Sequence, residues 1–196
     1  MVSALPSPPA IRPARPSDDD TVRRLVRAAF GEDEGPSIVG LLAGLEASGR
    51  RERSLVAVTA NDDPVGHVQL NRSWVDAREA LVDVLVLSPL SVAPAHQGHG
   101  LGTALVRAAM QAAEELHAPA LFVEGDPDFY GSRGFEPATP QGFIRPSVRV
   151  PEPAFQVRLL AAHEPWMTGA LVYCEAFWAH DCVGLRDPLL AELEGR

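Results

Sequence analysis

Apolar positions along the chain switch between two periods. Val22, Leu25, Val26, Ala29 and Phe30 recur at helical spacing. They follow Ser17 and the acids Asp18, Asp19 and Asp20, a sound helix start because carboxylates face the positive end of the helix dipole. Gly31 is the expected stop, and Ile38, Leu41, Leu42 and Leu45 predict a second helix over residues 37–47. Ahead of both, residues 11–14 read as a short edge strand, since Pro13 cannot donate to a ladder. From Leu55 the pattern changes to strands: residues 55–60 and 65–71 form a hairpin around the turn Asn61-Asp62-Asp63-Pro64. Residues 81–93 are a long apolar stretch interrupted at Pro89. Leu105, Ala108, Ala109, Ala112 and Leu116 mark a helix over 101–117, closed by Pro119 and followed by a buried strand over 120–124. A helical turn near Phe129, strands over 154–160 and 170–174, and a short C-terminal helix complete the order. This is a mixed α/β (α+β) domain in which 81–124 forms a right-handed βαβ unit.

With 196 residues the chain is expected to be one domain. Residues 1–10, rich in proline and small residues, read as a disordered lead-in; 11–160 form the domain, and 161–196 a C-terminal extension packed on it. The net charge of −9 argues against a nucleic-acid partner, whose affinity rests on neutralising phosphates, and suits a cationic one. All 17 basic residues are arginine, so Schiff-base chemistry on lysine is excluded. Cys174 and Cys182 match no zinc or redox spacing, and no metal is expected. No stretch is apolar for long enough to span a membrane, and residues 1–16 lack the pattern of a secretion signal, so a cytoplasmic location is expected.

The chemistry concentrates at Gln97-Gly98-His99-Gly100-Leu101-Gly102-Thr103. Three glycines just before an amphipathic helix place bare backbone N–H groups at a positive helix end, an anion cradle suited to phosphates. A nucleotide-hydrolysing P-loop is excluded because it requires lysine. A dinucleotide fingerprint is one glycine short, with Thr103 in its place. Pro89 and Pro94 keep the end of the preceding strand from pairing fully, leaving backbone groups of Leu90, Ser91 and Val92 to a ligand. After the next strand comes Gly125-Asp126-Pro127-Asp128-Phe129-Tyr130-Gly131-Ser132-Arg133-Gly134-Phe135.

Together these segments resemble the GNAT acetyltransferase superfamily. Gln97, Gly100 and Gly102 match its Q/R-x-x-G-x-G/A pyrophosphate signature, and Tyr130, Gly134 and Phe135 match its Tyr-x-x-x-Gly-Phe signature. Gly125-Asp126-Pro127 further resembles a bacterial branch of generic predicted N-acetyltransferases. The resemblance covers about residues 11–160 and implies a GNAT-like acyl-CoA N-acyltransferase fold: a central mixed sheet with two splayed strands, flanked by helices. It implies acetyl-CoA as co-substrate in the gap, with Leu90, Ser91 and Val92 along the pantetheine arm. The Val92 N–H is then directed at the thioester oxygen, and the amides from Gly98 to Thr103 hold the pyrophosphate.

Tyr130 is the candidate general acid, since a phenol stays protonated at neutral pH and the leaving thiolate needs a proton; a core tyrosine is the competing reading. Glu79, Asp83 and Glu124 are the candidate bases, with Glu124 favoured because its strand end points to the cleft. Arg133 and Arg107 are candidate phosphate partners. His99 stands where the family often has arginine or lysine, which predicts coenzyme A affinity falling between about pH 6 and 8. The expected reaction is acetyl transfer to a primary amine of a small molecule or peptide by direct attack. A non-catalytic acyl-CoA-binding module is the alternative. The acceptor site is expected among the first two helices, the loop after Arg72 and residues 137–153. Homodimerisation is left open.

Overall fold

A computed structural model describes residues 10–186, 189–193 and 195; the lead-in expected over residues 1–10 therefore lies outside it except for Ala10. The edge strand β1 (Ala10–Pro13) pairs with β2 (Arg51–Val58), which forms the expected hairpin with β3 (Pro64–Ala77). Between them lies α1 (Asp19–Ala47), one helical run bent at Gly31, whose φ of 77° and ψ of −173° lie outside the helical region. The two helices expected from the pattern are thus the arms of a single bent element. Asp18 rather than Ser17 precedes α1, its carboxylate accepting from Arg15 N–H at 2.7 Å and pairing with Arg12 at 2.7 Å.

β3 continues through the segment after Arg72, where a loop was expected, and meets β4 (Leu81–Val92). Then α2 (Leu101–Glu115) crosses over to β5 (Ala120–Glu124), which lies parallel to β4. The short α3 (Pro127–Gly131), β6 (Glu136–Pro137) and β7 (Phe155–Leu159) follow, and the sheet order is β1-β2-β3-β4-β5-β7-β6. The last part of the chain gives β8 (Gly169–Val172), α4 (Glu175–Ala179) and α5 (Leu189–Leu193), with β8 extending the sheet beside the far end of β3.

The sheet has helices on both faces. Val68 and Leu70 of β3 pack with Leu105 and Ala109 of α2, while Val56 and Val58 of β2 pack with Val22, Val26 and Leu42 of α1. On β3 the residues of the α1 face are polar: His67, Gln69, Asn71 and Ser73 are all buried. Three of them pair internally, with Ser54 Oγ 2.9 Å from His67 Nε2, Gln69 donating to Asn71 Oδ1 at 2.7 Å, and Asn71 donating to the Ser88 carbonyl, whereas the Ser73 hydroxyl and His67 Nδ1 have no partner among the described residues. The C-terminal segment joins the core through Leu171, Tyr173, Phe177 and Val183. Its His180 ring rests on a groove of α1 made by Gly40 and Gly44. Among the described residues no helix is long and apolar enough to cross a membrane.

Candidate active site

β4 and β5 pair only at Leu85–Leu121 and Val86–Phe122. Beyond these, β4 stays with β3 and β5 with β7, so a gap opens between the two central strands. The cause is local. The β3–β4 register shifts between Val68–Leu90 and Leu70–Leu87, so Ser88 and Pro89 together stand opposite Gln69, and Pro89 has no N–H to offer β5.

The free edge of β4 is narrower than the sequence suggests. Ala93 N–H donates to the Val65 carbonyl at 2.9 Å, and Ser91 stands opposite His67. Alternation along an antiparallel ladder then turns the backbone groups of Ser91 towards β3 and the N–H groups of Leu90 and Val92 towards the gap. Ser91 is therefore not available to a ligand: its backbone belongs to the ladder and its side chain is buried.

The loop after β4 is pinned by Gln97, whose side-chain amide donates to the Val92 carbonyl at 3.0 Å. Gly98 (φ 76°) and Gly100 (φ 79°) take left-handed conformations that side chains disfavour. Among the described residues, no group accepts from the N–H of Gly98, His99, Gly100, Leu101, Gly102 or Thr103. These amides converge where α2 begins, so the positive helix end reinforces them. All of these residues but His99 line a cavity of about 410 Å³, together with Leu90, Val92 and Phe129. Its charged or titratable lining residues are His96 and Arg133.

Arg133 ties the two sequence motifs together. Its Nε and Nη2 donate to Thr103 Oγ1 at 3.1 and 2.6 Å, its Nη1 donates to the Phe129 carbonyl, and its guanidinium lies 3.6 Å over the Phe129 ring. Its donors thus serve protein groups, and it brings charge to the cavity without a free fork for phosphate. His99 is exposed and does not line the cavity, whereas His96 does, so the affinity profile expected of His99 has no geometric basis. Arg107 is exposed on α2, outside the lining.

A second cavity, about 360 Å³, adjoins the first at Leu90 and sits in the gap itself. Both Tyr130 and Glu124 line it. Tyr130 is placed by α3, whose start is capped by Asp126 Oδ1 accepting from the N–H of Asp128 at 2.8 Å and of Phe129 at 3.1 Å. Its ring stands between Phe129 and Phe135, with centroids 4.9 and 5.5 Å away, and Gly125 leaves room for it. Its hydroxyl has no hydrogen-bond partner among the described residues, and burial pushes its pKa up, keeping it protonated.

Glu124 closes β5. Its Oε2 accepts from Gly184 N–H at 3.0 Å, while Oε1 is buried outside hydrogen-bond geometry with any described group. Burial pushes this carboxyl up; the Tyr173 hydroxyl, then Gly184 N–H, hold it down in part. Glu79 and Asp83 are exposed and line neither cavity. Besides β4 and the end of β5, its walls come from Phe30 and Ile38 of α1 and from Tyr173, Phe177 and Cys182 of the C-terminal segment. None of residues 137–153 contributes to this cavity. The Cys182 thiol, which sequence reasoning left outside the site, is pushed up to about 11 by burial and by the carboxylates of Asp181, Glu34 and Glu124. Among the described residues, no cluster of three or more His, Cys, Asp or Glu side chains is placed to hold a metal ion.

A parted α/β sheet with bare amides below the gap and a phenol and a carboxylate within it defines the acyltransferase class. The chain belongs to the acetyltransferase (GNAT) family, whose model matches residues 20–135. It is similar to YjhQ of Escherichia coli strain K12, an uncharacterized N-acetyltransferase: 28% identity over 131 residues, covering 66% of this chain and 71% of that one. The fold superposes on the crystal structure of the E. coli GNAT family N-acetyltransferase YhbS in complex with CoA (TM-score 0.78, 28% identity, 89% of this chain and 95% of that one). A GNAT family acetyltransferase from Brucella melitensis, in complex with acetyl-CoA, superposes with a TM-score of 0.67 at 26% identity, over 86% of this chain and 97% of that one.

Proposed function

We propose that the protein transfers the acetyl group of acetyl-CoA to a primary amine by direct attack. The observation that carries this reading is that Tyr130 and Glu124 line one cavity in the gap between β4 and β5, adjoining the cavity of bare amides at Leu90. That two similar proteins are described with CoA or acetyl-CoA supports it.

The amides from Gly98 to Thr103 receive the pyrophosphate, and the edge of Leu90 and Val92 aligns the pantetheine arm. Leu90 borders both cavities while Val92 borders only the first, so the Leu90 N–H is the better donor to the thioester oxygen, where charge develops during attack. Glu124, raised by burial into a more basic carboxylate, takes a proton from the acceptor ammonium. The amine nitrogen then bonds to the carbonyl carbon, the carbon–sulfur bond breaks, and the nitrogen sheds its second proton to solvent, to which Glu124 also returns the first. Tyr130 gives its hydroxyl proton to the departing thiolate and regains one from solvent. Cys182 stays a neutral thiol, a poor nucleophile, which favours direct attack over an acetyl-cysteine route.

Tyr130→Phe separates a catalyst from a non-catalytic acyl-CoA-binding module. Release of free thiol from acetyl-CoA should drop about a hundredfold, while acetyl-CoA affinity by calorimetry stays within a factor of about two. Equal turnover in both proteins would remove Tyr130 from the mechanism.

A further inference from the structure

Charge is divided between the two adjoining cavities. The cavity of bare amides has His96 and Arg133 in its walls and no carboxylate. The cavity in the gap has Glu124 and Asp126 and no arginine or histidine. We infer that the acceptor, on the reading given above, is a cationic primary amine carried on an apolar, uncharged body, of the alkylamine or arylalkylamine class.

The two carboxylates form a path inward. Asp126 is exposed at the mouth, and its α3 cap uses only Oδ1. Glu124 lies inside, with Oε1 buried and unpartnered. An ammonium entering there gains a carboxylate at each step, and Glu124 Oε1 is a buried acceptor that no described group satisfies within hydrogen-bond geometry. The net charge of −9 adds attraction for cations at a distance.

The body of the acceptor meets different chemistry. Phe30 and Ile38 face it from α1, and Phe177 and Tyr173 from the C-terminal segment. Behind the wall made by Glu124, Gly125 and Asp126 lies another cavity, about 500 Å³, lined by Pro151, Pro153 and Leu185, with no arginine or histidine among its described lining residues. A carboxylate or phosphate on the acceptor would lie beside two like charges with no cation among the described lining residues; Arg149, whose charge reaches Glu124, lies outside that lining.

The test is calorimetric binding to the full chain saturated with CoA, using phenethylamine, hexylamine, phenylalanine and phenylalaninamide. The amide matches phenylalanine in size and keeps its ammonium but lacks its carboxylate. The expected result is that phenethylamine, hexylamine and phenylalaninamide each bind at least tenfold more tightly than phenylalanine. Ile38→Arg, which places a cation in the half-buried wall, should reduce that ratio to about one or invert it. Phenylalanine binding as well as phenethylamine, no amine binding, or an unchanged ratio in Ile38→Arg would overturn the inference. Thiol release from acetyl-CoA with the same amines is read separately. Preferential binding without release upholds the acceptor class and overturns the catalytic reading.

Discussion

A Cβ placed on Gly125 would lie 2.4 Å from Tyr130 Cε2, closer than carbon atoms approach without displacement. Glycine at the end of β5 is therefore what lets the phenol ring stand in the gap. Gly125→Ala must move the ring, and small misplacements of a reacting group cost on the order of a hundredfold. The expected outcome is a kcat lowered about a hundredfold, with acetyl-CoA affinity nearly unchanged. In Tyr130→Phe, which has already lost the hydroxyl, adding Gly125→Ala should reduce kcat little further. Steady-state kinetics on the two single variants and the double variant read this, and an additive loss would argue against displacement.

Glu124 makes the rate depend on pH in a defined direction. A base acts deprotonated, so kcat at saturating amine should rise with pH through the raised carboxyl pKa, above the usual value of 4.5. Tyr173 holds that pKa down in part, so Tyr173→Phe should move the acid limb to higher pH. Glu124→Gln should lower kcat by about a hundredfold or more and abolish the limb. A limb moving to lower pH in Tyr173→Phe would contradict the effect of that hydroxyl on Glu124.

The parts of the site held by backbone conformation were largely legible from residue type. The three glycines announce a bare loop before α2, Pro89 announces incomplete pairing at the end of β4, the resemblance supplied the parting of β4 from β5, and the spacing from Tyr130 to Phe135 fits one short helix and its turn. Side-chain direction was less accessible. Whether Leu90, Ser91 or Val92 faces the gap depends on the register with β3, which no local pattern states. His96 and His99 differ in the same way, through the path of one loop. The far wall was hidden for another reason. Tyr173, Phe177 and Cys182 reach the cavity only because the C-terminal segment folds over α1, a contact between positions more than a hundred residues apart. Polar residues alternate with apolar ones along β3, yet α1 covers His67, Gln69, Asn71 and Ser73, which a local pattern does not state.

That covered face makes stability sensitive to acid. Burial, and secondarily Arg51, lower the pKa of His67 from 6.5 to about 4. Between these values the unfolded chain binds a proton that the folded one refuses, so stability is highest above about pH 6.5 and falls as pH drops towards 4. The loss approaches about 3 kcal/mol at the low end. His67→Gln should flatten this part of the profile, leaving the carboxylates common to both proteins unaffected. Urea unfolding at pH 7 and pH 5 measures it, and parallel profiles would show that His67 is not the group responsible.

The contact between Gly40 and His180 sets two opposed effects against each other. A Cβ on Gly40 would lie 2.6 Å from His180 Nδ1 and 2.9 Å from its Cε1, so Gly40→Ala must push the ring out of its groove. Overpacking of this kind costs about 1–3 kcal/mol, whereas alanine for glycine inside a helix gains about 1 kcal/mol. The crowding should win, and Gly40→Ala should destabilise the protein by up to about 2 kcal/mol. It should also loosen the C-terminal segment that carries Tyr173 and Phe177 into the cavity, raising KM for the amine more than it changes affinity for acetyl-CoA. In a His180→Ala background the three nearest atoms to that Cβ are gone, and the same substitution should stabilise by about 1 kcal/mol. A double-mutant cycle of unfolding free energies therefore predicts a change of sign. Equal destabilisation in both backgrounds would mean that His180 is not what Gly40 accommodates.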